Sequence, residues 1–462
     1  MSRNPRVAVI GLDCVPPELV FERWRDELPC LRELTQQGCY GPLKSIVPPI
    51  TVPAWSCMMS SKDPGELGIY GFRNRKDYSY DGLFFANSTA VKEDRVWDIL
   101  SRAGKDVIVL GVPGTYPPQP LRGCMVGCFL TPSADADFTY PAALKTELAT
   151  RFGPYLLDVE NFRSEEKEQI LDQIYRMTEQ RFAMARYLVK TRPWDFFMMV
   201  EMGTDRIHHA FWKFFDSTHP KYEKGNRFEK VMGDYYRFLD GQIAKLLPLL
   251  GEDTIVFVVS DHGAQKMVGG VCINEWLQQE GYLHLAEPVT GLTPIAKARI
   301  DWSKTRVWGE GGYYARIFLN VRGREPQGVI PPEEYEAVRE ELRQKLEAMK
   351  DHNGEPLGTR VFKPEEVYRA VRGVPPDLIV YFGNLRWRSV GSVGLGSILT
   401  FENDTGPDDA NHSEQGIFIL REPRGRQGQL SGLSLFDMAP TILDRFGLEV
   451  PAGMQGKVIP AA

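Results

Sequence analysis

Three short apolar runs set the frame for this chain. "RVAVIGLD" (6–13), "WDFFMMVEMGTD" (194–205) and "DTIVFVVSDHG" (253–263) each run into an aspartate. Continuous apolar runs of this length read as strands buried on both faces, the kind found in parallel sheets. "KDVIVLGVPGTYPP" (105–118) is a fourth, followed by a Pro/Gly loop. Between them stand segments with helical apolar spacing: "WRDELPCLRELTQQG", "EEKEQILDQIYRMTEQRFAMARYLVKT" (165–191) and "VMGDYYRFLDGQIAKLLPLLG" (231–251). Strands alternating with helices predict an α/β fold, with a doubly wound, mostly parallel central sheet flanked by helices. Such sheets bind ligands outside the carboxyl ends of their strands. Asp13, Asp205, Asp261 and His262 all fall at those ends, so the fold is expected to gather them.

After residue 264 the texture changes. "YYARIFLNV" (313–321) and "PDLIVYF" (376–382) read as strands. "PPEEYEAVREELRQKLEAMK" (331–350) reads as a helix, with proline near its start and acids in its first turn. We expect a smaller α+β subdomain or partial cap at 265–400, inserted into a core made of 1–264 and 401–462. "SLFDMAPTILDRFGL" (434–448) reads as a closing helix.

Composition narrows the function classes. At 462 residues and 43% hydrophobic, the chain can bury a core without disulfides or a structural metal. A net charge of −6 argues against a nucleic-acid polymer as partner. No stretch of 18 apolar residues and no long basic run occurs, so no membrane association is expected. The first residues lack the apolar stretch of a signal peptide. Seven cysteines, an odd number with no CxxC pair, suit a reducing compartment, and we expect the cytoplasm. Nothing in the sequence fixes the oligomeric state.

Asp205 and His209 are four residues apart and share a face if the segment is helical. His208 stands next door, but the four-residue spacing favours His209. Asp261 and His262 are adjacent, where the chain is expected to turn and let the two side chains diverge. His412 lies in "ENDTGPDDANHSEQ", which reads as a polar loop. Singly, each has an ordinary reading: a strand-end aspartate caps a turn, and a loop histidine is solvated. Together, three strand-end aspartates and three of only seven histidines make a ligand set for zinc, manganese or iron(II). In "PPITVPAW", Pro53 suits a first helical turn, which places Thr51 at or near the N-cap. There the helix start offers N–H donors and a dipole that favours an anion.

On these motifs the chain resembles the type I phosphodiesterase/nucleotide pyrophosphatase branch of the alkaline phosphatase superfamily. That branch shows a strand-end Asp, then a Thr or Ser nucleophile, an Asp-x-x-x-His, an Asp-His pair and a late His. Here they stand in order as Asp13, Thr51, Asp205 with His209, Asp261 with His262, and His412. "ARIFLNVRGREPQG" and "PPDLIVYF" look most like members described as predicted phosphohydrolases or phosphomutases. The resemblance implies an alkaline phosphatase-like fold and two divalent ions, zinc or manganese first, iron also compatible. One ion would lie on Asp205, His209 and His412; the other on Asp13, Asp261 and His262, with Thr51 Oγ beside it. It implies Thr51 as nucleophile and a covalent phospho-Thr51 that water then hydrolyses. The expected function is metal-dependent hydrolysis of a small-molecule phosphoric ester, diester or monoester. Phosphotransferase or phosphomutase chemistry at the same site is the alternative. A sulfatase does not fit, because "TVPAW" is not the C/S-x-P-x-R context of those relatives.

The pattern departs in one place. The asparagine that the branch carries downstream of its nucleophile falls on Phe72, after "LGI" in place of "HGI". Arg73, Asn74 or Arg75 of "GFRNR" either substitutes as a substrate contact or forms a solvated turn. Trp308, Tyr313 and Tyr314 likewise either wall a pocket or pack the smaller subdomain.

Overall fold

The computed structural model describes residues 5–461. The predicted apolar runs become strands Val7–Leu12, Val107–Leu110, Phe196–Glu201 and Ile255–Val259. All four are buried along their whole length, as strands covered on both faces must be. Among the described residues they lie in a ten-stranded sheet. Its spatial order is Gly428–Gln429, Cys39–Lys44, Gln415–Arg421, Ile255–Val259, Val7–Leu12, Phe196–Glu201, Val107–Leu110, Gly123–Val126 and Thr139–Tyr140, with Leu433–Ser434 beside Cys39–Lys44. The middle of the sheet, from Ile255–Val259 to Gly123–Val126, is parallel throughout. Gln415–Arg421 runs antiparallel to both its neighbours, so the sheet is mixed but mostly parallel.

Helices flank it in two packed groups. Pro29–Gln37, Lys167–Thr191, Gly203–Phe215 and Val231–Leu250 pack together. Thr51–Ser60, Val96–Arg102 and the closing Met438–Arg445 form the other group. The predicted 434–448 helix is shorter than the sequence suggests, a 3₁₀ turn Leu435–Asp437 running into Met438–Arg445.

Beyond the main sheet, Val307–Glu310, Ala315–Leu319, Leu378–Tyr381 and Arg360–Phe362 form a four-stranded antiparallel sheet in that order. The helix expected at 331–350 begins as a 3₁₀ turn, Pro332–Glu334, and continues as Tyr335–Glu347. Val338, Leu342 and Leu346 of that helix share an apolar cluster with Trp308, Ile317 and Val380. A smaller cluster, with Ile50 and Tyr70 on one side and Tyr314, Tyr368 and Tyr381 on the other, ties this part of the chain to the segment that opens the Thr51 helix.

One further pairing bears on function. Gly263–Lys266 and Ala410–Ser413 form a two-stranded antiparallel ladder with Ala264 opposite His412. His412 is therefore in a buried strand rather than the polar loop expected from its sequence. Ala410 packs in the core, but Asn411 donates to the Tyr313 carbonyl and His412 meets the Pro49 carbonyl, so the segment lacks apolar alternation.

Candidate active site

Helix Thr51–Ser60 is buried on every side, which fits its apolar composition. Ile50, in extended conformation, is the N-cap, and Thr51 is the first helical residue, one position inside the expected boundary. The Thr51 hydroxyl makes no capping bond. Its Oγ1 instead lies 3.3 Å from His262 Nε2. Pro53 sits in the first turn, as its missing N–H allows, and the opening N–H groups have no intrahelical partner. One turn on, Trp55 Nε1 donates to Asp13 Oδ2 at 2.7 Å. Gly11 makes room for that indole: a Cβ there would meet the Trp55 ring at 2.6 Å.

The seven residues singled out by sequence converge. Asp13, Asp261 and His262 bring ligand atoms together in one group; Asp205, His209 and His412 do so in another, which also includes Cys14. Asp205 lies in the first turn of helix Gly203–Phe215, which places His209 on the same face, Nε2 3.2 Å from Asp205 Oδ1. His412 Nε2 stands 3.8 Å from the same oxygen. His208 points elsewhere and bonds Tyr236 Oη through Nε2 at 2.9 Å, so the structure separates the adjacent histidines. Asp261 and His262 do not diverge as expected: Asp261 Oδ2 and His262 Nε2 are 3.0 Å apart. The His262 and His412 rings stack with centroids 3.9 Å apart.

The far nitrogen of each of the three imidazoles is anchored. His209 Nδ1 pairs with Asp408 Oδ1 at 2.7 Å, His412 Nδ1 with the Pro49 carbonyl at 2.7 Å, and His262 Nδ1 with the Gly263 carbonyl at 3.2 Å. These bonds leave Nε2 of each ring for the interior. Among the described residues, Asp13 Oδ1, Asp261 Oδ2, His209 Nε2 and His412 Nε2 are buried without a hydrogen-bond partner. A buried polar atom left unpaired costs roughly 1–3 kcal/mol. Two of these four face an imidazole–carboxylate partner across the site, His209 Nε2 with Asp205 Oδ1 at 3.2 Å and Asp261 Oδ2 with His262 Nε2 at 3.0 Å, and a set made only of carboxylates and imidazoles fits divalent cations.

The electrostatics agree. Burial, then Asp261 and Asp205, push the Asp13 carboxyl well above the usual range. Burial raises Asp261 as well, against the pull of His262. Burial also acts to raise Asp205, but His209 and Arg206 outweigh it and hold Asp205 well down. Burial would lower His209; Asp408 and Asp205 overcome it and lift the imidazole to about 9. Buried carboxylates that oppose one another are stabilised by a nearby cation.

Above these groups opens a cleft of about 620 Å³ that reaches Thr51, Asp205 and His412. Phe72, Phe129 and Phe162 line it, with Arg73, Arg163, Arg206, Arg316 and Arg388. Of Arg73, Asn74 and Arg75, only Arg73 lines this cleft. The Asn74 amide is committed to its own turn, accepting from Tyr70 N–H at 2.7 Å and donating to the Gly71 carbonyl at 2.9 Å. Arg75 turns away to Glu325. The aromatic trio divides. Trp308 packs in the apolar cluster under the smaller sheet, and the buried Tyr314 hydroxyl bonds the Tyr70 carbonyl. Tyr313 lies over the site, 4.9 Å from the His209 ring and 4.3 Å from the His412 ring between centroids.

Sequence reasoning missed Asp408 and the arginines that meet it. Arg163 Nε bonds Asp408 Oδ2 at 3.1 Å, and its other arm reaches Tyr313 Oη at 2.6 Å. Arg206 grips Asp158 with two 2.7 Å bonds while also pairing with Asp205. The rule that a ligand histidine leans on a carboxylate could have pointed to the acids just before His412.

A large, mostly parallel sheet with a site at its strand ends is common to many enzymes, and similarity to known proteins narrows it to alkaline phosphatase-like hydrolases. The chain belongs to the type I phosphodiesterase / nucleotide pyrophosphatase family, whose sequence profile matches residues 7–408. Its fold is similar to that of human ectonucleotide pyrophosphatase / phosphodiesterase 5, with 13% identity and a TM-score of 0.57 over 99% of this chain and 96% of that one. The murine protein of that name, solved as an inactive variant in complex with AMP, is 13% identical, with a TM-score of 0.56 over 97% and 96% of the two chains. Phosphonoacetate hydrolase from Sinorhizobium meliloti 1021, solved with phosphonoformate, is 15% identical, with a TM-score of 0.62 over 96% and 95%. No curated protein matches the chain by sequence.

Proposed function

We propose that this hydrolase cleaves small phosphoric esters with two divalent ions and Thr51 as nucleophile. The observation that carries the reading is the convergence of four unpartnered buried ligand atoms beside the Thr51 hydroxyl. Asp205, His209 and His412 would hold one ion, and Asp13, Asp261 and His262 the other. Bound there, the ions supply Lewis-acid stabilisation of the phosphoryl charge and ease ionisation of the threonine hydroxyl.

The chain's own groups account for the rest. Thr51 gives its hydroxyl proton to solvent and its Oγ attacks phosphorus, the bond to the ester oxygen breaks, and the departing alkoxide takes a proton from solvent. The unused N–H groups at the helix start receive the phosphoryl oxygens. Water then attacks phospho-Thr51, the bond from phosphorus to Oγ breaks, and the hydroxyl is restored. Arg73, exposed at the cleft, is placed to meet a phosphate oxygen or the remainder of the substrate. Asn74, held in its turn, has no place in this reading. The ligand set suits zinc or manganese, with iron(II) also compatible. The buried free cysteines suit the cytoplasm. Among the described residues no helix is long and apolar enough to cross a membrane.

Phosphotransfer or mutase chemistry is the second reading. Tyr313 favours it, because an aromatic from the 265–400 segment roofs the histidines, and exclusion of water suits transfer to a second acceptor. Two measurements on metal-loaded protein decide. The ratio of kcat/KM for bis-p-nitrophenyl phosphate to that for p-nitrophenyl phosphate separates diesterase from monoesterase. Label from H₂¹⁸O in the released phosphate marks hydrolysis, and its absence marks transfer. Wild-type turnover in Thr51→Ala would sink the covalent route.

A further inference from the structure

The strand-end dipeptide Asp13–Cys14 divides between the two ligand groups. Asp13 joins Asp261 and His262, whereas Cys14 Sγ joins Asp205, His209 and His412, with ligand atoms all within 4.8 Å of one another. All four residues of that second group are buried. Two of its donors, His209 Nε2 and His412 Nε2, have no hydrogen-bond partner. Cys14 Sγ makes a long contact, 3.5 Å from the Gly263 carbonyl oxygen, and lies beside the Asp205 carboxylate.

The backbone holds the thiol in place. Cys14 N–H donates to Asp261 Oδ1 at 3.2 Å and Val15 N–H to Ser260 Oγ at 2.8 Å. Cys14 has φ +66°, in the left-handed region that an L-residue other than glycine enters at a cost.

The spacing of Asp205, His209 and His412 fits coordination of one ion, and Cys14 Sγ lies within 4.8 Å of their ligand atoms. Nitrogen and oxygen ligands at ~2.0–2.2 Å and sulfur at ~2.3 Å around a tetrahedral ion stand roughly 3.3–3.8 Å from one another. His209 Nε2 and His412 Nε2 lie 3.2 and 3.8 Å from Asp205 Oδ1. Those three residues leave room for a further protein donor, and expansion to five ligands keeps a position for a phosphoryl oxygen. No other cysteine belongs to such a group among the described residues.

We infer that Cys14 is the fourth protein ligand of the cation held by Asp205, His209 and His412, and that this position takes zinc in preference to manganese. The inference rests on the metal-site reading above. The thiol gives its proton to solvent as the ion enters, with no change of oxidation state. Thiolate is a soft donor that selects zinc-like ions, whereas carboxylate and water suit manganese. The Asp13, Asp261 and His262 group has only oxygen and nitrogen donors, so the two positions are chemically unequal.

Cobalt(II) titrated into the metal-free full chain tests this by absorption spectroscopy. The expected result is a near-ultraviolet thiolate-to-cobalt charge-transfer band alongside visible d–d bands. Cys14→Ser and Cys14→Gly are expected to lose the charge-transfer band and keep the d–d bands. Their zinc affinity should fall by about tenfold or more, with manganese affinity little changed. Glycine adopts φ +66° freely, so Cys14→Gly guards against loss of folding, which far-ultraviolet circular dichroism checks. Visible d–d bands without a charge-transfer band in the wild type would overturn the thiolate ligand while leaving the metal site standing. No bound cobalt at all would overturn both. A charge-transfer band that survives in both variants would assign it to another cysteine and overturn the proposal.

Discussion

Each imidazole in the site is aimed by the partner of its far nitrogen. Asp408 performs this task for His209. Asp408→Asn is expected to weaken metal binding about 10–100-fold, measured by competition with a chromophoric chelator, because partners of this kind usually contribute that much. The adjacent histidines give a sharper contrast. His209→Asn should lower the bound metal by one equivalent on elemental analysis, whereas His208→Asn should leave the stoichiometry unchanged. Thr51 makes no cap, so Thr51→Ala forfeits none of the ~1 kcal/mol that a capping hydroxyl provides. Its melting temperature should stay near that of the wild type while turnover falls on the order of 10³-fold or more. Asp13, Thr51, Asp205, His209, Asp261 and His262 were legible because strand ends, helix starts and four-residue spacing are local signals. Asp408 was not legible. It and Asp409 are neighbours of equal chemistry, and only the tertiary fold turns one to His209 and the other towards Lys213.

At the scale of elements, the apolar strands and amphipathic helices announced the sheet because both periodicities are written in sequence. The strand that carries His412 did not, since it is held by a ladder and by site contacts rather than by an apolar face. That ladder is tight at Gly263. A Cβ there would run into the Gln415 carbonyl oxygen and the Ser413 hydroxyl. Gly263→Ala is therefore expected to force the two strands apart and to cost about 1–3 kcal/mol of stability by denaturant unfolding. It should also reduce metal affinity, because His262 and His412 flank the strained point.

In the whole molecule, the candidate ligands come from four regions between residues 13 and 412, so cations bound at the two groups would between them tie the ends of four elements together. Ions that bind only the folded chain stabilise it, by ~2.7 kcal/mol at a hundredfold excess over Kd. Exhaustive chelation is expected to lower Tm by a few degrees in the wild type, and much less in Asp205→Asn, as scanning calorimetry would show. The short ladder between 263–266 and 410–413 has a different kind of consequence. It brings the chain back to the point it left, whatever lies between. The long excursion from 267 to 409 starts and finishes within a few residues of His262 and His412, and the ladder holds those two histidines at its ends. That stretch also supplies Tyr313, Arg316 and Arg388 to the cleft. Apart from Asp408, which anchors His209 near its far end, the excursion is therefore free to vary in what it presents to the cleft without moving the candidate ligands.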